Sequence, residues 1–377
     1  MAFQNTIEPR EAERTLTKWL AGRMPDARNL AVIEARLPAR GGFSAETVMF
    51  TAQWSDAEGT EHRDRMVARV RPTGPAVFND YDFELEHRLL DALAEHSSVP
   101  VPKVLFNESD PTLLGAPFIV LEFLEGQVAG DDPPYSTDGW VRELTTAQRA
   151  TMADSALRAI VALHAVDWRA AGLEFLEKRE GSPTDLHPTG TDAQITAYRN
   201  YFEWAREGTE YPFVTSAFAW LRSHQPPDDE TPVLTWGDAR IGNLLFASDQ
   251  SVAAVLDWEM AALGSPESDL GYWLSMVAHF TECIGVPNPE GFPSREEFVR
   301  RYEELSGRPV RHLEFHEVFG AVKTAVMVVR LASILIRAGL LPPEANLATS
   351  NAATTIIARL TGLPAPEVAE DTWMGRR

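Results

Sequence analysis

The chain has 377 residues, with 34 Lys and Arg against 55 Asp and Glu, and its formal net charge is −21. Apolar residues make up 44% and charged residues 24%, which is the composition of a globular chain able to bury a core without disulfides or metal staples. The acidic balance argues against a general binder of nucleic acid or anionic membranes, because those surfaces attract basic patches. We therefore expect a globular protein with no nucleic-acid partner and no membrane partner.

Cysteine content and the amino terminus bear on the compartment. Cys283 is the only cysteine, which excludes an intrachain disulfide and a cysteine-based metal site. Charged side chains are scattered through residues 1–24, so this segment lacks the continuous apolar core of a signal peptide. These features predict a cytoplasmic protein.

The most apolar long stretch, residues 321–341, contains three cations seven residues apart: Lys323, Arg330 and Arg337. That spacing places them on one side of a helix. The stretch predicts a buried helix with one basic edge, and we expect that edge to be solvated or salt-bridged rather than to bind an anion.

The first third of the chain predicts a helix, an antiparallel meander of three strands, a second helix and a further strand. In chain order these elements span residues 8–23, 30–37, 47–54, 65–71, 80–96 and 118–121. From about residue 140 the pattern becomes helical. The predicted helices span residues 147–166, 193–207, 212–224, 267–280, 295–306, 312–338 and 344–361.

One β interruption, residues 233–257, lies among these helices and contains short apolar runs at 243–246 and 252–256. The fold class is therefore α+β. We predict a β-rich domain over residues 1–124 and a mainly helical domain over residues 125–377.

Three polar residues lie at the ends of the short strands in this interruption. Asp238 and Asn243 are five residues apart, and Asp257 follows the second apolar run. Such side chains can converge across a hairpin, although an Asp after a strand can also be a simple turn former. Phosphoryl transfer needs an acceptor that orients a hydroxyl, here Asp238, and hard oxygen ligands for Mg²⁺, here Asn243 and Asp257.

These residues resemble the motifs of the aminoglycoside phosphotransferase-like kinases, a family within the protein-kinase-like fold. The matching segments are 236–238 with Asn243, then 256–259 and 264–270. The resemblance covers roughly residues 28–340. It implies two lobes with ATP bound between them, Mg²⁺ as the metal, and a hinge at residues 121–126.

The resemblance also assigns nucleotide-binding residues upstream. Gly42 and Ser44 match the hairpin that covers the phosphates, and Arg69 matches the basic position of the third strand. Glu86 matches the helix glutamate that pairs with this base. Glu122 and Leu124 lie in the segment that presents backbone groups to adenine.

Two positions depart from the family pattern, because Trp236 replaces the usual His and Arg69 the usual Lys. We expect Trp236 to fill the packing role of the His, and Arg69 still to contact phosphate. Arg240 either meets a phosphate or pairs with a carboxylate, and we count it among the candidate catalytic residues. The resemblance implies that Asp269 braces the catalytic loop, the segment from Trp236 to Asn243. We expect His164 to pack in the core and to form hydrogen bonds.

Two other features of the sequence say less about function. His312 and His316 have a metal-capable spacing, but no third ligand is indicated, so a metal site there is disfavoured. The chain lacks a Walker-type motif and a Gly-x-Gly-x-x-Gly fingerprint, which argues against a P-loop ATPase and a Rossmann dehydrogenase.

The expected reaction is transfer of the γ-phosphoryl group of Mg·ATP to a hydroxyl of a small molecule. The interval between Asp257 and Asp269 is too short for an activation loop that docks a peptide. Within the family, the residues 238–243 resemble the kinase-like domain fused to some acyl-CoA dehydrogenases. The acceptor is thus either an aminoglycoside or a hydroxylated acyl-CoA or other small alcohol. A non-catalytic nucleotide-binding module is the rival interpretation.

Acceptor choice depends on the helices predicted within residues 172–224, which we expect to wall the acceptor pocket. Glu203, Glu207 and Glu210 lie there among aromatic residues. Acids beside aromatic faces suit a protonated amino sugar, through ion pairs and cation–π contacts. This pattern favours an aminoglycoside.

Overall fold

The computed structural model describes residues 7–38, 45–79, 81–177, 188–227 and 231–366. The chain divides into two compact units. A β-rich unit comprises Met1–Ala94 and Pro102–Leu124, and a helical unit comprises Glu95–Val101 and Glu125–Arg377. The segment Glu95–Val101 joins the helical unit, where Val255 N donates to Pro100 O at 2.8 Å.

The β-rich unit contains a five-stranded antiparallel sheet in the order β1-β2-β3-β5-β4. Its elements are α1 (Pro9–Arg23), β1 (Arg28–Arg36), β2 (Glu46–Ser55), β3 (Glu61–Val70), α2 (Phe83–His96), β4 (Val104–Glu108) and β5 (Phe118–Glu122). The predicted meander is confirmed. Strand β4 was not predicted, because its short run contains Asn107 and Glu108 and lacks an apolar alternation.

Helix α1 covers one face of this sheet. Pro9 begins the helix, and the Glu8 carboxylate accepts from Glu11 N and so caps the first turn. Leu16 and Leu20 are fully buried in the core that also contains Phe118. Burial of each such side chain stabilises the unit by about 1.5–3 kcal/mol.

The helical unit contains eight α-helices within its described residues: α3 (Trp140–Glu143), α4 (Thr146–His164), α5 (Thr191–Ala205), α6 (Pro212–His224), α7 (Glu267–His279), α8 (Arg295–Ser306), α9 (Leu313–Arg337) and α10 (Ala352–Thr361). Five short strands lie among them: β6 (Gln127–Val128), β7 (Val233–Thr235), β8 (Leu244–Phe246), β9 (Val252–Val255) and β10 (Ala262–Gly264). Strand β7 pairs with β10, and β8 lies between β6 and β9. These two small sheets carry the predicted hairpin.

Helix α9 is the central helix of this unit and packs against α5, α6, α7 and α10. It is long and apolar enough to cross a membrane, but 78% of its most apolar 18-residue stretch is buried inside the protein. α9 approaches α7 closely at Gly320, where an added Cβ would lie only 2.8 Å from Tyr272 Cα. The prediction of a buried core helix is confirmed.

The last helix is shorter than predicted. A helix was expected over residues 344–361, but α10 begins at Ala352. Asn351 has an extended backbone and its side chain accepts from Thr354 N, while Thr354 bonds back to Asn351 N. This capping box starts the helix at residue 352, because Asn favours the cap over the helix interior.

Candidate active site

The catalytic loop lies between β7 and β8, and its sharp bend depends on Gly237. This residue has φ +85°, and a Cβ there would lie 2.0 Å from Met260 O. Only glycine fits both the conformation and the space. The bend places Asp238 directly after β7.

Asp238 and Asn243 are in direct contact. The Asn243 amide donates through Nδ2 to Asp238 Oδ2 at 2.7 Å and to Asp238 O at 3.1 Å. Because both bonds use the nitrogen, the Asn243 Oδ1 carbonyl faces away from Asp238. Asp238 Oδ1 is buried and accepts no well-aligned hydrogen bond within the described residues, although Arg240 Nε lies 3.2 Å away.

Arg240 is held between two carboxylates. It pairs with Asp131 through Nη1 and approaches Asp238 Oδ2 through Nε at 3.3 Å. Burial lowers the pKa of Arg240, but the charges of Asp131 and Asp238 outweigh it and raise that pKa well above its usual value. Of the two predicted roles for Arg240, the structure contains the carboxylate pairing. Asp131 was missed, since nothing in its loop sequence marks it.

Asp257 is tied to the same loop through backbone contacts. Leu256 N donates to Asn243 O at 2.9 Å, and the Trp236 indole donates through Nε1 to Leu256 O at 2.8 Å and to Asp257 O at 3.2 Å. Asp257 itself has φ +56°, a left-handed conformation outside regular strand geometry. The structure therefore brings Asp238, Asn243 and Asp257 together, as their spacing predicted.

The buried residues Trp236 and Asp269 hold the catalytic loop in place through packing and hydrogen bonds. Trp236 is 1% exposed, and its ring packs near Trp258. Asp269, fully buried, accepts from Trp236 N at 2.7 Å and from Gly237 N at 2.8 Å. His164 lies between Asp269 Oδ2 at 3.0 Å and the Tyr302 hydroxyl at 2.8 Å. The predicted structural roles of these residues are confirmed.

Three buried polar residues lie beside Asp238: Tyr272 and Lys323, which were not predicted as part of the site, and Tyr198, on a helix that was expected to wall the acceptor pocket. Burial and then the charge of Asp238 raise the pKa of Tyr272 and of Tyr198 well above the usual value for tyrosine. Lys323 is 3% exposed, and the charge of Asp238 also acts on it. Only the packing of α5, α7 and α9 brings these residues near Asp238, so no local motif marks them.

In the β-rich unit, Arg69 and Glu86 form an ion pair. Arg69 Nη1 lies 2.7 Å from Glu86 Oε1, and the two side chains are 11% and 5% exposed. β3 supplies the Arg and α2 supplies the Glu, as the resemblance implied. A buried pair of this kind holds a guanidinium in a fixed position.

The other predicted nucleotide-binding residues have different outcomes. Glu122 N donates to Lys103 O at 3.0 Å, and the Glu122 carboxylate accepts from Lys103 N at 2.9 Å, so this amide is already used within the sheet. The backbone of Leu124 makes no hydrogen bond within the described part of the chain. Gly42 and Ser44 lie outside the described residues.

The sequence profile of the phosphotransferase enzyme family APH matches residues 35–313, well over half of the chain. The chain belongs to the APH phosphotransferase family. The match begins in β1 and ends at the first residue of α9, so it includes the Arg69–Glu86 pair and the catalytic loop.

Curated relatives of this APH phosphotransferase carry acyl-CoA dehydrogenase names. IBR3 of Arabidopsis thaliana, named as a probable acyl-CoA dehydrogenase, is 29% identical over 281 residues, which are 69% of this chain and 32% of that protein. Acyl-CoA dehydrogenase family member 10 of Mus musculus is 29% identical over 276 residues, 70% of this chain and 24% of that protein. The chain thus spans about a third or less of these two relatives.

Solved structures place the phosphotransferase in the protein-kinase-like fold, with a β-rich and a mainly helical lobe. A protein of Ralstonia eutropha JMP134, named for aminoglycoside phosphotransfer, has a TM-score of 0.64 and 25% identity over 93% of this chain and 94% of its own. A type I macrolide 2′-phosphotransferase has a TM-score of 0.55 at 20% identity over 94% of this chain and 97% of its own, and this likeness supports the fold alone.

Two of the three acids expected to receive a cationic acceptor, Glu203 and Glu207, are paired with arginines in this phosphotransferase, whereas Glu210 is exposed. Glu203 pairs with Arg199 at 3.3 Å and with Arg206 at 2.7 Å. Glu207 pairs with Arg330 at 2.8 Å and with Arg337. The expected salt-bridged state of the basic edge on α9 is thus found at its last two positions. Because these pairs neutralise Glu203 and Glu207, only Glu210 remains of the acids behind the aminoglycoside expectation, and most of its electrostatic basis is lost.

His312 and His316 lie at the start of α9, on its cap position and in its first turn. Within the described residues no cluster of three or more His, Cys, Asp or Glu side chains has metal-binding geometry. Burial, then the charges of Lys323 and His312, lower the pKa of His316 to about 3, so its ring is neutral at physiological pH. His316 is part of the packed surface between α7 and α9.

The donor set of the catalytic loop fits Mg²⁺. The Asn243 Oδ1 carbonyl and the Asp257 carboxylate are hard oxygen donors, and Mg²⁺ completes its six ligands with water and phosphate oxygens. The orientation of Asn243, fixed by its two bonds to Asp238, leaves its oxygen available. Two protein ligands suffice for a metal that arrives with its nucleotide.

Proposed function

We propose that this APH phosphotransferase is an ATP-dependent small-molecule kinase that phosphorylates a hydroxyl group. The observation that carries the proposal is the contact of 2.7 Å between Asn243 Nδ2 and Asp238 Oδ2, with Asp257 tied to the same loop. In this contact the Asn243 nitrogen binds Asp238 Oδ2, so Asp238 Oδ1 lies outside it and the Asn243 carbonyl remains directed elsewhere, toward a cation in this proposal.

In this proposal Asp238 orients the acceptor hydroxyl and takes its proton as the phosphoryl group is transferred. Its Oδ1 lies 3.2 Å from Arg240 Nε, and the Tyr272 hydroxyl also acts on the carboxylate as a hydrogen-bond donor, so the acceptor O–H would join or displace these donors. Arg240 lies beside the carboxylate and stabilises its negative charge. Positioning of the hydroxyl supplies much of the rate enhancement in phosphoryl transfer.

Asn243 and Asp257 would hold Mg²⁺ in the helical unit, and Arg69, positioned by Glu86, would bind phosphate in the β-rich unit. The ion neutralises charge on the phosphate oxygens when bound. The buried Arg69–Glu86 pair supports this assignment, because Glu86 fixes the direction of the guanidinium. Arg binds phosphate oxygens with two parallel N–H donors.

For the acceptor, we propose a hydroxylated acyl-CoA thioester in preference to an aminoglycoside. Two observations support this choice. Glu203 and Glu207 are each paired with two arginines, so they do not offer free negative charge to an amino sugar. The curated relatives also carry acyl-CoA dehydrogenase names.

A coupled ADP-release assay tests both the proposed kinase activity and the proposed acyl-CoA acceptor. Purified protein is incubated with Mg·ATP and either 3-hydroxybutyryl-CoA or kanamycin. We expect acceptor-dependent ADP release with the thioester, and the Asp238→Asn variant to lose it by about 10²–10⁴-fold. Asp249→Asn is the matched control, since Asp249 lies in an exposed hairpin turn.

The outcomes separate the alternatives. Activity with kanamycin and none with the thioester would refute the acyl-CoA acceptor and support the kinase activity. Mg·ATP binding without turnover for any acceptor would favour the nucleotide-binding module.

A further inference from the structure

Lys323 is a buried cation that the proposed reaction does not use directly. It lies in the middle of α9 and is 3% exposed. Its ammonium group donates to Ser268 Oγ at 3.2 Å, and this is its only hydrogen bond within the described residues. Its remaining N–H donors face aromatic rings: Nζ lies 4.8 Å from the ring centre of Phe319 and 5.2 Å from that of Tyr198.

Polar and charged groups face Lys323 from four elements. They are Ser268 and Asp269 on α7, Asp238 on the catalytic loop, Tyr198 on α5, and His316 on α9 itself. Asp269 and Asp238 are acidic, whereas His316 is neutral at physiological pH. None of the described carboxylates is within ion-pair distance of Nζ, so Asp269 and Asp238 act on the cation through their charge and not through a direct contact.

A buried charge without an ion-pair partner costs stability, and burial lowers the pKa of Lys323 to about 8 even though Asp269 and Asp238 raise it. A methionine of similar length would avoid this cost. The position therefore needs an explanation other than packing.

Asp269 supplies that explanation. Its carboxylate is completely buried and accepts from Trp236 N at 2.7 Å and from Gly237 N at 2.8 Å, and its Oδ2 also lies 3.0 Å from His164 Nε2. Ser268, the hydrogen-bond partner of Lys323, is its neighbour in the first turn of α7. Lys323 therefore binds the same helical turn that carries the carboxylate holding the catalytic loop.

We propose that Lys323 is a positioning residue: its positive charge and its hydrogen bond to Ser268 hold the first turn of α7, and with it the Asp269 carboxylate, in the position that fixes the backbone of Trp236 and Gly237 for Asp238. The role of Asp238 in this statement rests on the proposed function. The link from Lys323 to Asp269 and the loop backbone does not.

Hydrogen–deuterium exchange of the catalytic-loop peptide, residues 234–243, tests the link without any acceptor. In Lys323→Met we expect the Trp236 and Gly237 amides to exchange at least 10-fold faster than in the wild type. Arg330→Met is the matched control, because it removes another buried cation two turns along the same helix, paired with Glu207 and stacked on Trp204. It should leave these amides unchanged.

Lys323→Arg keeps the charge and should restore most of the protection. Unchanged exchange in a folded Lys323→Met protein, or equal acceleration in Arg330→Met, would overturn the proposal. If Lys323→Met does not fold, Lys323→Arg and pH decide instead. Wild-type loop exchange, corrected for its intrinsic pH dependence, should then rise as pH passes about 8, and the Arg variant should stay flat.

A second readout uses water as the phosphoryl acceptor. We expect Lys323→Met to hydrolyse Mg·ATP at least 10-fold more slowly, with the Kd for Mg·ATP unchanged within threefold. A wild-type protein that neither binds nor hydrolyses Mg·ATP would refute the proposed kinase, whereas the exchange experiment would still decide the role of Lys323.

Discussion

Gly271 of α7 contacts the backbone of His316 in α9 so closely that a Cβ at position 271 would lie 2.3 Å from the His316 carbonyl carbon. The two helices therefore meet backbone to backbone. This contact sets the distance between Asp269, on one helix, and Lys323, on the other.

We expect Gly271→Ala to destabilise the protein by more than about 2 kcal/mol, because the methyl group would force α7 and α9 apart. Urea unfolding measures the loss. Gly22→Ala is the control, since no atom lies within 4 Å of its added Cβ. Equal free energies of unfolding for the two variants would show that the helices adjust at little cost.

Asp257 and Asp238 should differ in their effect on nucleotide binding. Loss of a metal ligand leaves phosphate charge uncompensated, whereas loss of the residue that orients the hydroxyl spares ground-state binding. We expect Asp257→Ala to weaken the Kd for Mg·ATP about 10-fold or more, and Asp238→Ala to change it less than threefold while abolishing turnover. Isothermal calorimetry measures both, and a similar loss of affinity in the two variants would contradict the assignment.

Trp236→Phe should retain the packed ring and lose the N–H that bonds to Leu256 O and Asp257 O. Leaving buried carbonyls unpaired costs about 1–3 kcal/mol. We expect a loss of this size in urea unfolding, together with reduced turnover. Trp168→Phe, which removes one indole bond to Pro232 O outside the loop, should lose stability and keep turnover.

Trp236→His restores the usual family residue and should not raise turnover by orders of magnitude. If it did so at unchanged stability, Trp236 would mark a degenerate site.

Two neutral, buried histidines should make the protein sensitive to acid. Burial, then the charge of Arg240, lowers the pKa of His279 to about 4, and the pKa of His316 is about 3. In the unfolded chain both histidines have the ordinary pKa of about 6.5, so below this pH they take up protons when the protein unfolds. The unfolded state therefore binds more protons between about pH 6.5 and 4, and the free energy of unfolding falls as pH decreases through this window.

His316→Phe should make that decline shallower, because Phe fits the aromatic contact with Phe315 and cannot take up a proton. Urea unfolding at pH 7.5, 6 and 5 measures the slope. His96→Phe, at an exposed position, is the control and should follow the wild type. Parallel curves for His316→Phe and the wild type would contradict the assigned pKa.

The sequence alone determined much of this protein, because the decisive signals were local. Runs rich in Val, Ala and Met, separated by two turn signals, predicted the meander, and the spacing of Asp238, Asn243 and Asp257 predicted their convergence. A hairpin brings residues close in sequence together, so a motif within about twenty residues already fixes that geometry.

Only the tertiary structure decided the surroundings of Asp238. Asp131 is more than a hundred residues from its partner Arg240, and Lys323 lies on a different helix from Ser268. Glu203 and Glu207 were interpreted from the sequence as part of a cation-binding site. The arginine partners of Glu203 are its neighbours in sequence, at i−4 and i+3, whereas those of Glu207 lie on α9. The contacts of Lys323 and of Glu207 depend on how α5, α7 and α9 pack. Helix packing is set by backbone approaches such as Gly271 on His316, which hydrophobic periodicity does not encode.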